Sequence, residues 1–182
     1  MLQRCQLDLW SACEHGDAPS VRRCLEAGAK VGVKNRLGWN ALHRACMSGS
    51  TECVDLLLPP DEEEKARSEL LRQPDGAGNT PLHIAAGGGH IQVTESLLRA
   101  GASADVSGKG SQDGSDDPGT PMHVVCKALS AAVEPERQSR LQEVVRICQR
   151  RLHTLASERE LLHVHAPRTL MVTQAWRARL HM

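Results

Sequence analysis

Asn79-Thr80-Pro81-Leu82-His83-Ile84-Ala85-Ala86, followed by Gly89-His90, the pair Leu97-Leu98 and then Ala100-Gly101-Ala102, decides the architecture of this chain. The string returns 40 residues earlier as Asn40-Ala41-Leu42-His43-Arg44-Ala45-Cys46 and 40 later as Thr120-Pro121-Met122-His123-Val124-Val125-Cys126. A fainter copy, with Ala12-Cys13, Gly16, Val21 and Leu25, stands 33 residues ahead of Ala45-Cys46, Gly49, Val54 and Leu58. Self-similarity at such periods marks a stack of supersecondary units, each too thin to bury its apolar face alone.

Composition agrees. The 182 residues are 40% apolar, enough for one domain with a core, yet contain no Phe and no Tyr. That core must be filled by Leu, Val, Ala, Ile, Met and Cys. This suits closely stacked helix pairs and suits poorly a β-sandwich, which draws on aromatic residues. Scarce aromatics also argue against folds that stack nucleic-acid bases. No run of about 18 apolar residues exists, and Met1 to Leu9 includes Arg4 and Asp8 without an apolar signal core, so a soluble, non-secreted protein is expected. Seven cysteines, with no C-x-x-C pair, indicate neither a disulfide framework nor a zinc knuckle. Six of them occupy apolar slots of the repeat and read as small buried hydrophobes, with only Cys5 outside. A reducing, cytoplasmic compartment is the expectation, with association to the cytoskeleton as a further one.

The 79–86 string and its neighbours resemble the ankyrin repeat, whose signature is a β-turn and two helices carrying T-P-L-H-x-A over about 33 residues. The resemblance covers about residues 7–155, most closely 35–58 and 74–105. It implies an all-α, ankyrin-repeat α-solenoid of stacked helix-turn-helix units with β-turn fingers and degenerate terminal caps. The expected domain is 1–156, in units of about 5–34, 35–73, 74–117 and 118–156, with 157–182 a C-terminal helical cap or docking segment. The extra length of the later units falls between repeats, where loops tolerate insertion.

Each unit has its own features. In the first, Leu7-Asp8-Leu9-Trp10 stands where later units carry the turn and T-P-L-H, and Trp10 is expected to cover the end of the apolar core. Its second helix should span about Pro19 to Ala27 and stop at Gly28. In the second unit Asn35 to Asn40 makes the turn, Ala41 to Met47 the inner helix, and Thr51 to Leu58 the outer helix, halted by Pro59-Pro60. Asp61 to Gln73 reads as a short acidic helix on the outside. In the third unit Thr80 caps the inner helix with Pro81 at its first position. By resemblance, Thr80 with His83 and Thr120 with His123 form a hydrogen-bonded clasp. Asn40 and Ala41 replace Thr and Pro in the second unit, so its clasp should be weaker. Ser107 to Gly119, rich in Gly, Ser and Asp, should be a long mobile turn. The fourth unit's first helix should run through Ala132, break near Glu134-Pro135, and give way to a second helix from Ser139-x-x-Gln142. Ser157-x-x-Glu160 reads as the start of a further helix, interrupted by Pro167, and Val172, Trp176 and Leu180 lie four apart on one face of a terminal one.

Chemistry-bearing residues have structural explanations. His43, His83 and His123 are spread along the stack at the repeat spacing, so they cannot share an ion; His163-Val164-His165 with His153 lacks the further ligands of a closed site. Gly108-Lys109-Gly110-Ser111 lacks the spacing and preceding strand of a phosphate loop. No catalytic residue, cofactor or metal is assigned, and no enzymatic activity is expected.

What remains is recognition. In ankyrin-like stacks, contacts come from the turn tips and from the inner helices lining the concave side. Carried over, these positions are Arg36, Leu37 and Trp39 in the second turn, Ala77 and Asn79 in the third, and Glu14, His15, Met47 and Ser48 beside the inner helices. Trp39 is the strongest candidate, because Trp and Arg dominate interface hot spots; the alternative is that it folds back on the neighbouring turn. The charge balances overall, 22 against 22, but from Pro135 onward nine Arg face four Glu, a local excess of 9 − 4 = +5. The expected function is a non-enzymatic adaptor or scaffold binding another protein, without membrane or small-molecule substrate and with nucleic acid disfavoured. The alternative is a structural subunit of a larger assembly, such as a cytoskeletal or axonemal one, or an RNA-associated protein docking through the basic C-terminal helices.

Overall fold

A computed structural model describes residues 2–60, 63–106, 119–131 and 134–161. Nine helices occur among them: α1 (Leu2–His15), α2 (Ala18–Glu26), α3 (Ala41–Ser48), α4 (Thr51–Leu57), α5 (Glu64–Arg72), α6 (Pro81–Gly88), α7 (Ile91–Arg99), α8 (Pro121–Ala131) and α9 (Pro135–Leu161). The inner helices α1, α3, α6 and α8 pack on one another in that order, and the outer helices α2, α4, α7 and α9 form a parallel row behind them. Each inner helix also packs on the outer helix that follows it, so four helix pairs make four layers. The fold is the all-α ankyrin solenoid.

Local chemistry sets the short helices. The Asn40 side chain accepts from the His43 backbone N–H at 3.0 Å and opens α3. Gly49, at φ +75°, stops α3 in the left-handed conformation that favours glycine. Ser50 then accepts from the Cys53 N–H at 3.3 Å and starts α4 at once. Pro59 and Pro60 prevent its continuation. Asp17 does for α2 what Ser50 does for α4, accepting from the Ser20 N–H at 3.2 Å.

One apolar seam runs through the layers, from Leu9 and Val21 through Leu42, Val54 and Leu57 to Leu82, Val93 and Leu97, and on to Val125, Leu141 and Val144. Ala41, Ala45, Ala85 and Ala86, all fully buried, let the inner helices approach closely. Each fully buried Leu in the seam stabilises the stack by about 1.5–3 kcal/mol, and none of it is available to a lone repeat.

The structure departs from the sequence reading in several places. α1 is continuous through Leu7 to Trp10, the stretch that stands where later units carry the turn. Trp10 does not cover the open end: it is half-buried and faces the second repeat, with the Arg44 guanidinium carbon 5.7 Å from its ring centre. α2 begins at Ala18 and ends at Glu26, one residue before the expected span at each end. α5 ends at Arg72, one residue before the expected end, residues 61 and 62 lying outside the described ones, and although its first turns are exposed, Leu70 and Leu71 are buried and anchor it on α6. α9 starts at Pro135, a residue suited to the first turn of a helix, and not at Ser139. It then runs straight through Ser157-x-x-Glu160, so that string opens no new helix. The Ser107 turn up to residue 118, Pro167 and the Val172, Trp176, Leu180 face all lie outside the described residues. Among the described residues no helix is long and apolar enough to cross a membrane.

Candidate functional site

Two buried histidines hold the turns in place. Nδ1 of His83 accepts from the Thr80 hydroxyl at 2.8 Å and from the Thr80 backbone N–H at 3.2 Å, while its Nε2–H donates to the Gly119 carbonyl at 2.7 Å. One ring thus ties its own turn to the next, and the pattern requires the neutral Nε2–H tautomer. His43 reaches the Asn79 carbonyl in the same way, but at 3.3 Å. Its Nδ1 lies 2.6 Å from Asn40 Oδ1, an amide oxygen that cannot donate as a Thr hydroxyl does. The Asn40 amide instead donates to Gln73 Oε1 at 2.9 Å, fastening the end of α5. Burial holds both imidazoles below the usual histidine range, so they stay neutral. Thr120 Oγ1 stands 2.7 Å from Nδ1 of His123 in the fourth repeat.

The turn tips are built alike. Asn35 Oδ1 accepts from the N–H groups of Leu37 and Trp39, both at 2.9 Å, and Asp75 Oδ1 accepts from Ala77 at 2.9 Å and Asn79 at 2.7 Å. The tips also touch. Gly76 N–H donates to the Leu37 carbonyl at 2.8 Å, and a Cβ on Gly38 would meet Gly76 N at 2.5 Å, so the close approach requires a glycine there.

Below the second tip lies a cavity of about 210 Å³ lined by Glu14, Asn35, Leu37, Trp39, Arg44 and Met47. Leu37 is 69% exposed and Met47 52%, two of the most exposed large apolar side chains among the described residues. Trp39 is half-buried, its ring centre 6.3 Å from that of His43 and tilted by 36°. Arg44 closes the cavity toward the first repeat. It pairs with Glu14 and lies over Trp10, and its Nε is buried with no hydrogen-bond partner in the structure.

The structure therefore brings together Glu14, Leu37, Trp39 and Met47 of the residues read from the sequence. Arg36 and Ala77 are exposed on the second and third tips. Asn79 is half-buried and acts in the scaffold, its carbonyl accepting from the Asp75 N–H at 2.9 Å and from His43. Ser48 donates its hydroxyl to the Ala45 carbonyl at 3.1 Å. His15 faces a different cavity, beside Asp8, Asp17 and Arg23, with Nδ1 2.8 Å from the Ser11 carbonyl. Sequence reading missed Asn35 and Arg44. Asn35 stands 40 residues before Asp75, and Arg44 holds a charge where the later inner helices carry Ile84 and Val124; both signals were in the repeat alignment.

Four of the thiols offer little reactivity. Burial pushes Cys13 up to about 12 and Cys126 and Cys148 up to about 11, and raises Cys46 further, so none supplies thiolate near neutrality. Among the described residues no group of three or more His, Cys, Asp or Glu is placed to hold a metal ion.

Comparison with known proteins fits this geometry. The family model described as ankyrin repeats, three copies, matches residues 9–109. Human "Ankyrin repeat and SOCS box protein 3" is 32% identical over 91 residues, which are 50% of this chain and 17% of that protein. "SMC5-SMC6 complex localization factor protein 1" from Bos taurus is 40% identical over 74 residues, 41% of this chain and 6% of the relative. Human "Transient receptor potential cation channel subfamily A member 1" is 31% identical over 95 residues, 52% of this chain and 8% of the channel protein. The chain thus spans less than a fifth of the length of these relatives. Ankyrin repeats are in general non-enzymatic modules that bind other proteins, and this chain, matched over more than half its length, belongs to that family.

Proposed function

We propose that this chain is an adaptor or scaffold that holds a partner protein against its concave side, with the cavity beneath the second turn as the anchor point. The observation that supports this reading is the exposure of Leu37 and Met47 around a cavity walled by Trp39. Exposed apolar side chains gathered at one place are the usual mark of a protein contact, and a half-buried Trp supplies a rigid surface at little conformational cost. The cavity has room for one large apolar side chain of the partner. Glu14 and Arg44, already paired, give it a charged rim. The clasps of His43 and His83 and the contact between tips hold this surface in shape before a partner arrives. One relative is by its name a localization factor for a complex, which fits a role of bringing proteins together. All seven cysteines are free, which fits a reducing cytoplasmic setting.

The test is a pull-down in parallel with the wild-type chain and Trp39→Ala, followed by titration of the recovered, purified partner. A partner retained by the wild type and lost with the variant supports the reading; equal titration curves overturn it. A second reading, a structural subunit of a larger assembly, rests on the exposed Arg137, Arg140, Arg146 and Arg150 of α9. Gel filtration of native lysate separates the two. A fixed large particle that survives Trp39→Ala favours the subunit.

A further inference from the structure

The outer helices α7 and α9 pack side by side, and a second cavity of about 330 Å³ lies between them, in the outer helix row. Its floor is apolar: Leu98 is 4% exposed and Ile147 8%. Its walls are cationic. Arg99, in the last turn of α7, and Arg150 and Arg151, from α9, line it together with one acid, Glu95. Three guanidinium groups thus stand against one carboxylate, and none of the three has an ion-pair partner among the described residues. Nε of Arg151 is buried with no hydrogen-bond acceptor.

We propose that this groove binds an acidic segment of a partner protein, with one aliphatic side chain on the Leu98–Ile147 floor and flanking carboxylates paired with Arg99, Arg150 and Arg151. The planar arginine fork matches a carboxylate with two parallel hydrogen bonds. The apolar floor between charged walls suits an acidic peptide interrupted by Leu, Ile or Val. It does not suit RNA, because none of the residues lining the groove is aromatic and bases would have nothing to stack on. This site is separate from the Trp39 cavity and stands without it.

The test uses two fluorescein-labelled probes in anisotropy titrations with the purified full chain. One is a peptide of alternating Asp and Glu with a single central Leu; the other is poly(U). The peptide should bind, more weakly as NaCl is raised, and about tenfold more weakly in the double variant Arg150→Glu/Arg151→Glu. Replacing its central Leu by Ser should also weaken it, while Trp39→Ala should leave it unchanged. Absence of peptide binding by the wild type overturns the proposal. So does equal binding by the double variant, or tighter binding of poly(U) that the same substitutions abolish. Should the double variant melt early, Arg99→Glu, at an exposed position of the other helix, carries the test: unchanged peptide binding there also overturns it.

Discussion

The second and third repeats share a backbone and differ in what they show to the outside. Stepping by 40 residues, Arg36, Leu37, Trp39, Arg44 and Met47 of the second become Gly76, Ala77, Asn79, Ile84 and Gly87 of the third. The third keeps Thr80-Pro81-Leu82-His83 and a short 2.7 Å link to its neighbour; the second has Asn40-Ala41 and a 3.3 Å link. The repeat nearest the family pattern is the scaffold, and the one that departs from it carries large side chains over a cavity. On the proposed reading Leu37 and Met47 are there to meet a partner, whereas His43 and His83 tie neighbouring turns together.

That contrast can be broken by experiment. The largest effect should come from His83→Ala, which removes a fully buried ring and its links to Thr80 and Gly119, and should cost about 3 kcal/mol in urea unfolding. His43→Ala should cost about 2 kcal/mol. If His43 proved the costlier of the two, the division between scaffold and recognition repeat would fail. Trp39→Ala should weaken partner binding by about 2 kcal/mol. Its stability cost should be smaller, about 1 kcal/mol, because the ring is half-buried beside His43. A loss confined to stability, with partner affinity intact, would return Trp39 to the scaffold.

Gly49→Ala places a Cβ 2.4 Å from Nδ1 of His90 at φ +75°, and should cost about 1–2 kcal/mol by prising the second repeat from the third. Thr80→Asn, which gives the third repeat the second's cap, should cost about 1 kcal/mol. A neutral result would show that Asn serves the clasp as well as Thr. Acid acts on both repeats together. Burial depresses the pKa of His43 and His83 below the usual 6.5, so the unfolded chain binds more protons once pH falls under that value. Stability should therefore be fully present above about pH 6.5 and decline as pH falls through the depressed folded values. Chemical denaturation at several pH values checks this, and replacing both histidines should flatten the profile.

Most of the fold was legible because the repeat string carries its own physics. Cap, buried His and a stopping Gly recur in the second and third repeats, and Asn40 caps α3 from the position that Thr80 holds before α6. What failed lies at the ends, where the period stops. The first unit has no turn string to orient it: α1 is helical through Leu7 to Trp10, and Trp10 faces Arg44 of the second repeat. At the other end, Ser157-x-x-Glu160 has the residues of a capping box, but capping needs a chain that leaves the helix first, and α9 does not leave it. Within the site, position along a turn was readable and direction was not. Ser48 and His15 stand beside Met47 and Glu14 in sequence, yet their side chains serve a neighbouring carbonyl and a different cavity. Arg44 escaped notice because its partners, Glu14 and Trp10, come from the preceding layer.

The bond from Gly76 to the Leu37 carbonyl has one more implication. It welds neighbouring loops at their outermost point, while His43 welds them at their base, so the edge a visitor first touches is braced twice. Such an edge has little freedom left to surrender on contact. Encounter should be quick and nearly free of rearrangement, and differences in how tightly various visitors stay should show up in how fast they depart.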